Sequence, residues 1–121
     1  MRVIIAGGRD YELTADDYRF LDSMHAYLHF TEVVCGMARG ADWGGKTWAE
    51  SHGVPVAKFP ADWDEYGKRA GYVRNVKMSE NADAFICFPG GSGTEHMRRT
   101  AKSKGLKWLP TIHDANSQLR T

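Results

Sequence analysis

The sequence predicts an α/β domain built on a mainly parallel five-stranded sheet with helices on both faces. Two observations carry that prediction. Short apolar or β-branched runs alternate along the chain with stretches of helical period, the pattern of strand–helix–strand units joined by right-handed crossovers. Glycine-rich turns also close the first, second and fourth of those runs, where strands of such a sheet give way to helices. At 121 residues the chain has the size of one domain with a real core, and neither an internal repeat nor a linker divides it.

Arg2–Ala6 is the first strand, ended by Gly7-Gly8, with Arg9 and Asp10 just past its carboxyl end. Thr14 and Asp17 have the spacing of a capping box, with Asp in place of Glu or Gln. The helix that follows runs from Ala15 to about His29 and carries Tyr18, Leu21, Met24 and Leu28 on one buried face. Glu32–Cys35 is the second strand, ended by Gly36. The turn Gly36 to Asp42 opens a helix that reaches about His52, with Gly53 at its C-terminal end. Gly44 and Gly45 inside that helix cost about 1 kcal/mol each relative to Ala, so a strand, a ligand or a partner chain should approach the backbone there.

Val54–Phe59 is the third strand, and Pro55 marks it as an edge. Pro60–Arg69 is polar and aromatic with no clean period. A helix from Ala70 to about Asn81 precedes the fourth strand, which begins at Ala84. Lys107–Ile112 is the last strand, again an edge because of Pro110, and the polar tail from His113 is expected to be loose.

Composition narrows the function classes. The chain is 42% hydrophobic and 26% charged, with 16 basic against 15 acidic side chains and a net charge of +1. That is ordinary globular composition, and it lacks the broad positive footprint of a duplex-binding protein, so nucleic acid is not the expected partner. Cys35 and Cys87 each end a predicted strand and read as buried thiols rather than a disulfide. With no leader pattern before the first strand and no apolar run of bilayer length, a reduced, cytoplasmic protein without membrane contact is expected. His25 and His29 have ligand spacing on one helix, but nothing supplies the remaining positions, so neither a metal nor another cofactor is expected. No Ser/His/Asp arrangement is visible, and the Gly-Lys-Ser/Thr of a P-loop is absent, which speaks against ATPase or GTPase chemistry.

The most informative stretch is Ala84 to Thr94: an apolar strand, Pro89, the glycines Gly90, Gly91 and Gly93 with Ser92 and Thr94 among them, then the start of a helix at Glu95. Pro89 cannot donate to a ladder, so pairing should stop there. The glycines leave no Cβ between main chain and ligand. The following helix aims free N–H groups and its positive dipole end at the turn, which suits an anion, usually phosphate.

Three loops leave the carboxyl ends of strands with glycine plus charge: Gly7-Gly8-Arg9-Asp10, Gly36 to Asp42 with Arg39 and Gly40, and Pro89 to Thr94. In open α/β sheets ligands bind outside those ends, where strand order reverses. Arg9, Arg39 and Arg74 are the candidate cations for a phosphate. Asp10 and Asp42 either accept from ribose hydroxyls or a base, or orient Arg9 and Arg39. Trp63 and Tyr66 either stack on a base or anchor their loop. Trp43, Trp48 and Trp108 read as packing residues.

Taken together, Gly-Gly-Arg-Asp at 7–10, Gly-Met-Ala-Arg-Gly-Ala-Asp at 36–42, Phe-Pro-Ala-Asp-Trp at 59–63, Ala-Gly-Tyr-Val-Arg-Asn at 70–75 with Met78, and Phe-Pro-Gly-Gly-Ser-Gly-Thr at 88–94 resemble the SLOG superfamily of Rossmann-like nucleotide-binding proteins. The nearest branch is the small stand-alone one related to YspA and YpsA. The superfamily also includes the LOG phosphoribohydrolases and the DNA-processing protein DprA. The resemblance implies a ligand site drawn from these motifs, Arg74 and Asn75 included, and pairing of the chain as a homodimer or higher homo-oligomer. In LOG enzymes an arginine four before a methionine and a glutamate three after the Gly-Thr pair support cleavage of the base–ribose bond. Arg74 and Met78 match the first pair, but the glutamate position holds Met97, which can neither activate water nor stabilise a cationic centre. Glu95 lies two positions away, roughly 200° around the helix, and is expected to pair with Arg99 or to favour the helix N-terminus.

Three readings follow. The first is a binding module for a nucleotide or nucleotide-derived molecule, acting as sensor, carrier or sequestering protein. The second is a phosphoribohydrolase-type N-glycosidase using Arg74 with Glu95, Asp10 or Asp42 as its acid. The third, suggested by the DprA resemblance, is a single-stranded DNA or protein-interaction module, against whose nucleic-acid half the near-zero net charge argues.

Overall fold

The structure, a computed structural model, describes residues 1–114. Its elements are β1 (Arg2–Ala6), α1 (Ala15–Leu28), β2 (Glu32–Cys35), α2 (Ala41–Ser51), β3 (Val56–Lys58), α3 (Trp63–Tyr66), a 3₁₀ turn (Gly67–Arg69), α4 (Ala70–Glu80), β4 (Ala84–Cys87), α5 (Ser92–Ser103) and β5 (Lys107–Trp108). The five strands form one all-parallel Rossmann-like sheet in the order β3-β2-β1-β4-β5. Order reverses between β1 and β4, where Ile4 lies between Val34 of β2 and Phe85 of β4. The crevice that a parallel sheet opens for ligands is therefore at the carboxyl ends of these two strands.

Strand alternation sorts the core into two layers. Val3, Ile5, Val33 and Ile86 pack with Leu21 of α1 and with Trp48 and Ala49 of α2. Ile4, Val34, Phe85 and Cys87 pack with Met78 of α4 and with Met97 and Ala101 of α5. Both faces are thus covered, which is why the strands read as continuous apolar runs. The Thr14–Asp17 capping box forms as expected, with bonds of 3.1 and 3.0 Å. Cys35 and Cys87 are free and buried. Among the described residues no helix is long and apolar enough to cross a membrane.

Several expectations need correction. Both edge strands are shorter than predicted: β3 begins after Pro55, which has no N–H to give although its carbonyl accepts from Val33 N–H at 2.9 Å, and β5 gives out before Pro110. The space at Gly45 is taken by Ile5 of β1, whose side chain would lie 2.6 Å from an added Cβ, and that at Gly44 by Leu13 at 2.8 Å. Of the three approaches expected there, the strand is the one found at Gly45, with a loop of the same chain at Gly44, so these glycines lend no support to a partner chain. Trp43 is not a packing residue: it is about half exposed, with Lys46 over its ring at 4.4 Å. The tail is tied down where it begins. His113 Nε2 lies 3.0 Å from the wholly buried Asp17 carboxylate and 2.8 Å from Tyr11 Oη, and Asp114 accepts from the Thr111 amide at 2.9 Å. Burial opposes charge on Asp17, but hydrogen bonds from Thr14, Tyr11 and His113 outweigh it and hold the carboxyl below its ordinary range. The remainder of the tail, 115–121, lies outside the described residues.

Candidate functional site

A cleft of about 430 Å³ opens at the β1–β4 reversal. The turn after β1 gives it Gly7, Gly8 and Arg9, and the turn after β4 gives Gly91, Ser92, Gly93 and Thr94. From the other side come Trp63 and Lys68, then Arg74 and Asn75 of α4, while Asp42 of α2 lines the cleft as well. Met78 and Met97 contribute its apolar surface.

The β4 turn presents main chain rather than side chain. Among the described residues no side-chain bond caps the start of α5, and the first ladder bond there is Glu95 N–H to Gly91 O at 3.1 Å. The amides of Ser92, Gly93 and Thr94 precede it and have no acceptor within the helix. A Cβ added at Gly91 or Gly93 would meet nothing within 4 Å among the described residues. Gly90 differs, since a Cβ there would lie 2.7 Å from Gly8 N and press on Thr94. Pro89 accepts from the Gly8 amide at 2.8 Å. Pro89 and Gly90 therefore fasten this turn to the β1 turn and do not line the cleft.

Arg74 is the most constrained of the three predicted cations. Its Nη1 donates to Gly36 O at 2.5 Å and its Nε to Asn75 Oδ1 at 3.0 Å. A Cβ at Gly36 would lie 2.6 Å from that Nη1 and 2.8 Å from Asp42 Oδ2, so Gly36 makes room for the guanidinium and the carboxylate. Asp42 is 6% exposed and accepts from the Ala38 amide at 3.4 Å. Burial pushes its carboxyl up to about 6, against the pull of the Arg74 charge. Arg74 in turn loses hydration on burial and regains part of that stability from Asp42. Of the two roles expected for Asp42, hydroxyl acceptor or orienter of Arg9 and Arg39, the second changes partner: the cationic charge that acts on it most strongly is that of Arg74, ahead of Arg9.

Arg9 lies over the half-exposed Trp63 ring at 5.9 Å from the centroid, so the indole carries a cation on one face at the rim. Arg39 does not line the cleft. It is exposed, bonded to Asp10 at 3.0 Å, and lines a neighbouring groove of about 440 Å³ that shares Arg9, Trp63 and Arg74 with the cleft. Gly40 packs on the main chain of Gly8 and Arg9. Glu95 does not line the cleft; it sits in the first turn of α5, where the helix N-terminus favours its charge, and its ion-pair partner is Arg98 at 3.5 Å rather than Arg99. Met97, at the position where the LOG pattern has its glutamate, is buried.

Lys68 and Tyr72 also line the cleft without having been singled out. Lys68 lay in the stretch without period. Tyr72 is three residues before Asn75 on one helical face, a weak signal that could have found it. Among the described residues no group of three or more His, Cys, Asp or Glu side chains could hold a metal ion.

The family described as YAcAr (YspA, cpYpsA-related SLOG family) matches residues 1–66. The Gene 61 protein of Mycobacterium phage D29 is 36% identical over 114 residues, an alignment covering 87% of this chain and 91% of that protein. No solved structure matches the chain.

Proposed function

The chain belongs to the YspA, cpYpsA-related SLOG family, and on that premise we propose that it binds a nucleotide or nucleotide-derived small molecule in the β1–β4 cleft. Membership suggests a nucleotide-related ligand and goes no further. The placing of the phosphate rests on one observation: the uncapped start of α5 converges with Arg9, Lys68 and Arg74 on one cleft. Phosphate oxygens would accept from the Ser92–Thr94 amides, with the helix dipole favouring their charge, and the Arg74 fork would take a second pair of oxygens. The exposed part of the Trp63 ring offers a stacking surface for a base, and Asp42 offers an acceptor for a sugar hydroxyl.

Calorimetric titration with nucleoside monophosphates and the matching nucleosides tests this. The monophosphates should bind and the nucleosides should bind far more weakly. Arg74→Ala should weaken the monophosphates by about 10- to 100-fold, the size of a charge-assisted bond pair. Equal affinity for nucleosides, or no binding of any monophosphate, would overturn the reading.

A second reading, N-glycosidase action, is favoured by one observation. Of the three acids considered for it, Asp42 alone lines the cleft, with its carboxyl near 6 and beside Arg74. Such a carboxylate can take a proton from an attacking water at neutral pH. Release of free base from a nucleoside monophosphate, abolished in Asp42→Asn, would establish it.

A further inference from the structure

Asn75 is 5% exposed and joins three groups across the α4–α5 contact. Its Oδ1 accepts from Arg74 Nε at 3.0 Å, while its Nδ2 donates to Gly93 O at 3.3 Å and meets His96 Nδ1 at 3.1 Å. These partners fix the amide's orientation. A guanidinium only donates and a main-chain carbonyl only accepts, so oxygen must face Arg74 and nitrogen must face Gly93. With Nδ2 donating, His96 Nδ1 must present its lone pair. The ring proton then sits on Nε2, on the side of Thr100 Oγ1 at 3.5 Å.

We infer that Asn75 and His96 are positioning residues: neutral His96 locks the Asn75 amide, which holds the Arg74 fork in register with the Gly91–Thr94 turn, so anion affinity in the cleft depends on the charge state of His96. The effect on affinity rests on the binding reading above; the coupling between the three side chains does not.

An imidazolium carries N–H on both nitrogens, so protonation would set Nδ1–H against Nδ2–H of Asn75. Either the ring leaves or the amide turns over. A reversed amide puts N–H against Arg74 Nε–H and oxygen against the Gly93 carbonyl, breaking both bonds. The groups facing the ring are Tyr72, whose ring centroid is 4.3 Å away, and Asn75 from α4, with Thr100 and the Arg99 charge from α5. None of these is a carboxylate that would favour the imidazolium. Burial, aided by Arg99, holds His96 below the ordinary imidazole range. Binding should then be unaffected by His96 near neutral pH and weaken as pH falls below that range. Asp42 and a phosphate monoester titrate in the same interval, but both are shared by wild type and variants, so the difference between proteins is the readout.

Two measurements on the full chain test the inference. Without ligand, ¹⁵N NMR from pH 8 to pH 4.5 should show His96 as the Nε2–H tautomer, and the Arg74 Nε–H resonance should follow the His96 midpoint. That co-titration should vanish in Asn75→Ala. With adenosine 5′-monophosphate as probe, His96→Gln, whose Oε1 accepts from Asn75 at any pH, should match wild type within about twofold at pH 7.5. It should bind roughly 3- to 10-fold more tightly than wild type at pH 5. His96 is only half buried, so this second variant does not depend on the core. An Arg74 resonance indifferent to His96, or an acid loss shared in full by His96→Gln, would overturn the inference. Co-titration without any binding of the probe would leave the coupling standing and remove the ligand reading instead.

Discussion

The turns after β2 and β4 look alike in the sequence, each glycine-bearing and each leading from a strand's carboxyl end into a helix, yet they do opposite things. Gly91 and Gly93 face open space in the cleft, whereas Gly40 is pressed onto Gly8 and Arg9, and Gly36 onto Arg74 and Asp42. Position in the sheet explains the difference. β4 borders β1 at the reversal of strand order, so its turn forms a wall of the crevice. β2 lies on the other side of β1, and the chain must cross the β1 turn to start α2, which it does by donating Ala41 N–H to Gly8 O at 3.2 Å. A glycine in sequence does not say whether the space it leaves is filled by the chain or stays open.

The largest expected effect that would break this comparison lies at Gly40. Its φ of 79° and ψ of −129° belong to a region open almost only to glycine, and an added Cβ would lie 2.5 Å from Arg9 O. Gly40→Ala should lower unfolding free energy by about 3–5 kcal/mol, read as a fall in the urea midpoint with the slope unchanged. An unaltered midpoint would mean that the β2 turn is as open as the β4 turn.

Asp42 sharpens the contrast, because the β2 turn also buries a charge that the β4 turn lacks. The folded carboxyl titrates at about 6, above its unfolded value near 4. Between those values the native chain binds more protons than the unfolded one, so this group's contribution falls as pH rises through the window. Above it the cost is fully present, roughly 1–3 kcal/mol. Asp42→Asn should therefore be the more stable protein at pH 7.5 by about that amount, with an advantage that shrinks toward pH 4. Thermal melts of both proteins at the two pH values check this; an advantage of equal size at both would show that the carboxyl is not held high.

What the sequence disclosed follows from how local each determinant is. The apolar strand runs, the Thr14–Asp17 box and the edge prolines act within a few residues, and all three placed their elements. The switch point was legible as three glycine-bearing turns at strand ends, two of them carrying charge. Side-chain engagement was not, because it joins distant positions. Arg74 reaches Gly36 across 38 residues and His113 reaches Asp17 across 96, and neither bond leaves a mark on spacing. Arg39 illustrates the same limit. Sequence offers it beside Arg74 as a candidate cation for a phosphate, but its guanidinium meets Asp10 in solvent, a pair of little energetic consequence.

The smallest expected effect is also the one with the reversed sign. Gly93 lies in the first turn of α5, and a methyl there would meet nothing. Gly93→Ala removes backbone freedom from the unfolded chain without a clash, so it should stabilise the fold by about 0.4–1 kcal/mol. The methyl would project into the cleft, so monophosphate affinity should fall while stability rises. Chemical denaturation and calorimetry on one preparation measure both. If Gly93→Ala destabilised the fold, as Gly40→Ala is expected to, the β4 turn would be held by its own packing, and the absence of neighbours around it could not be attributed to space kept for a ligand.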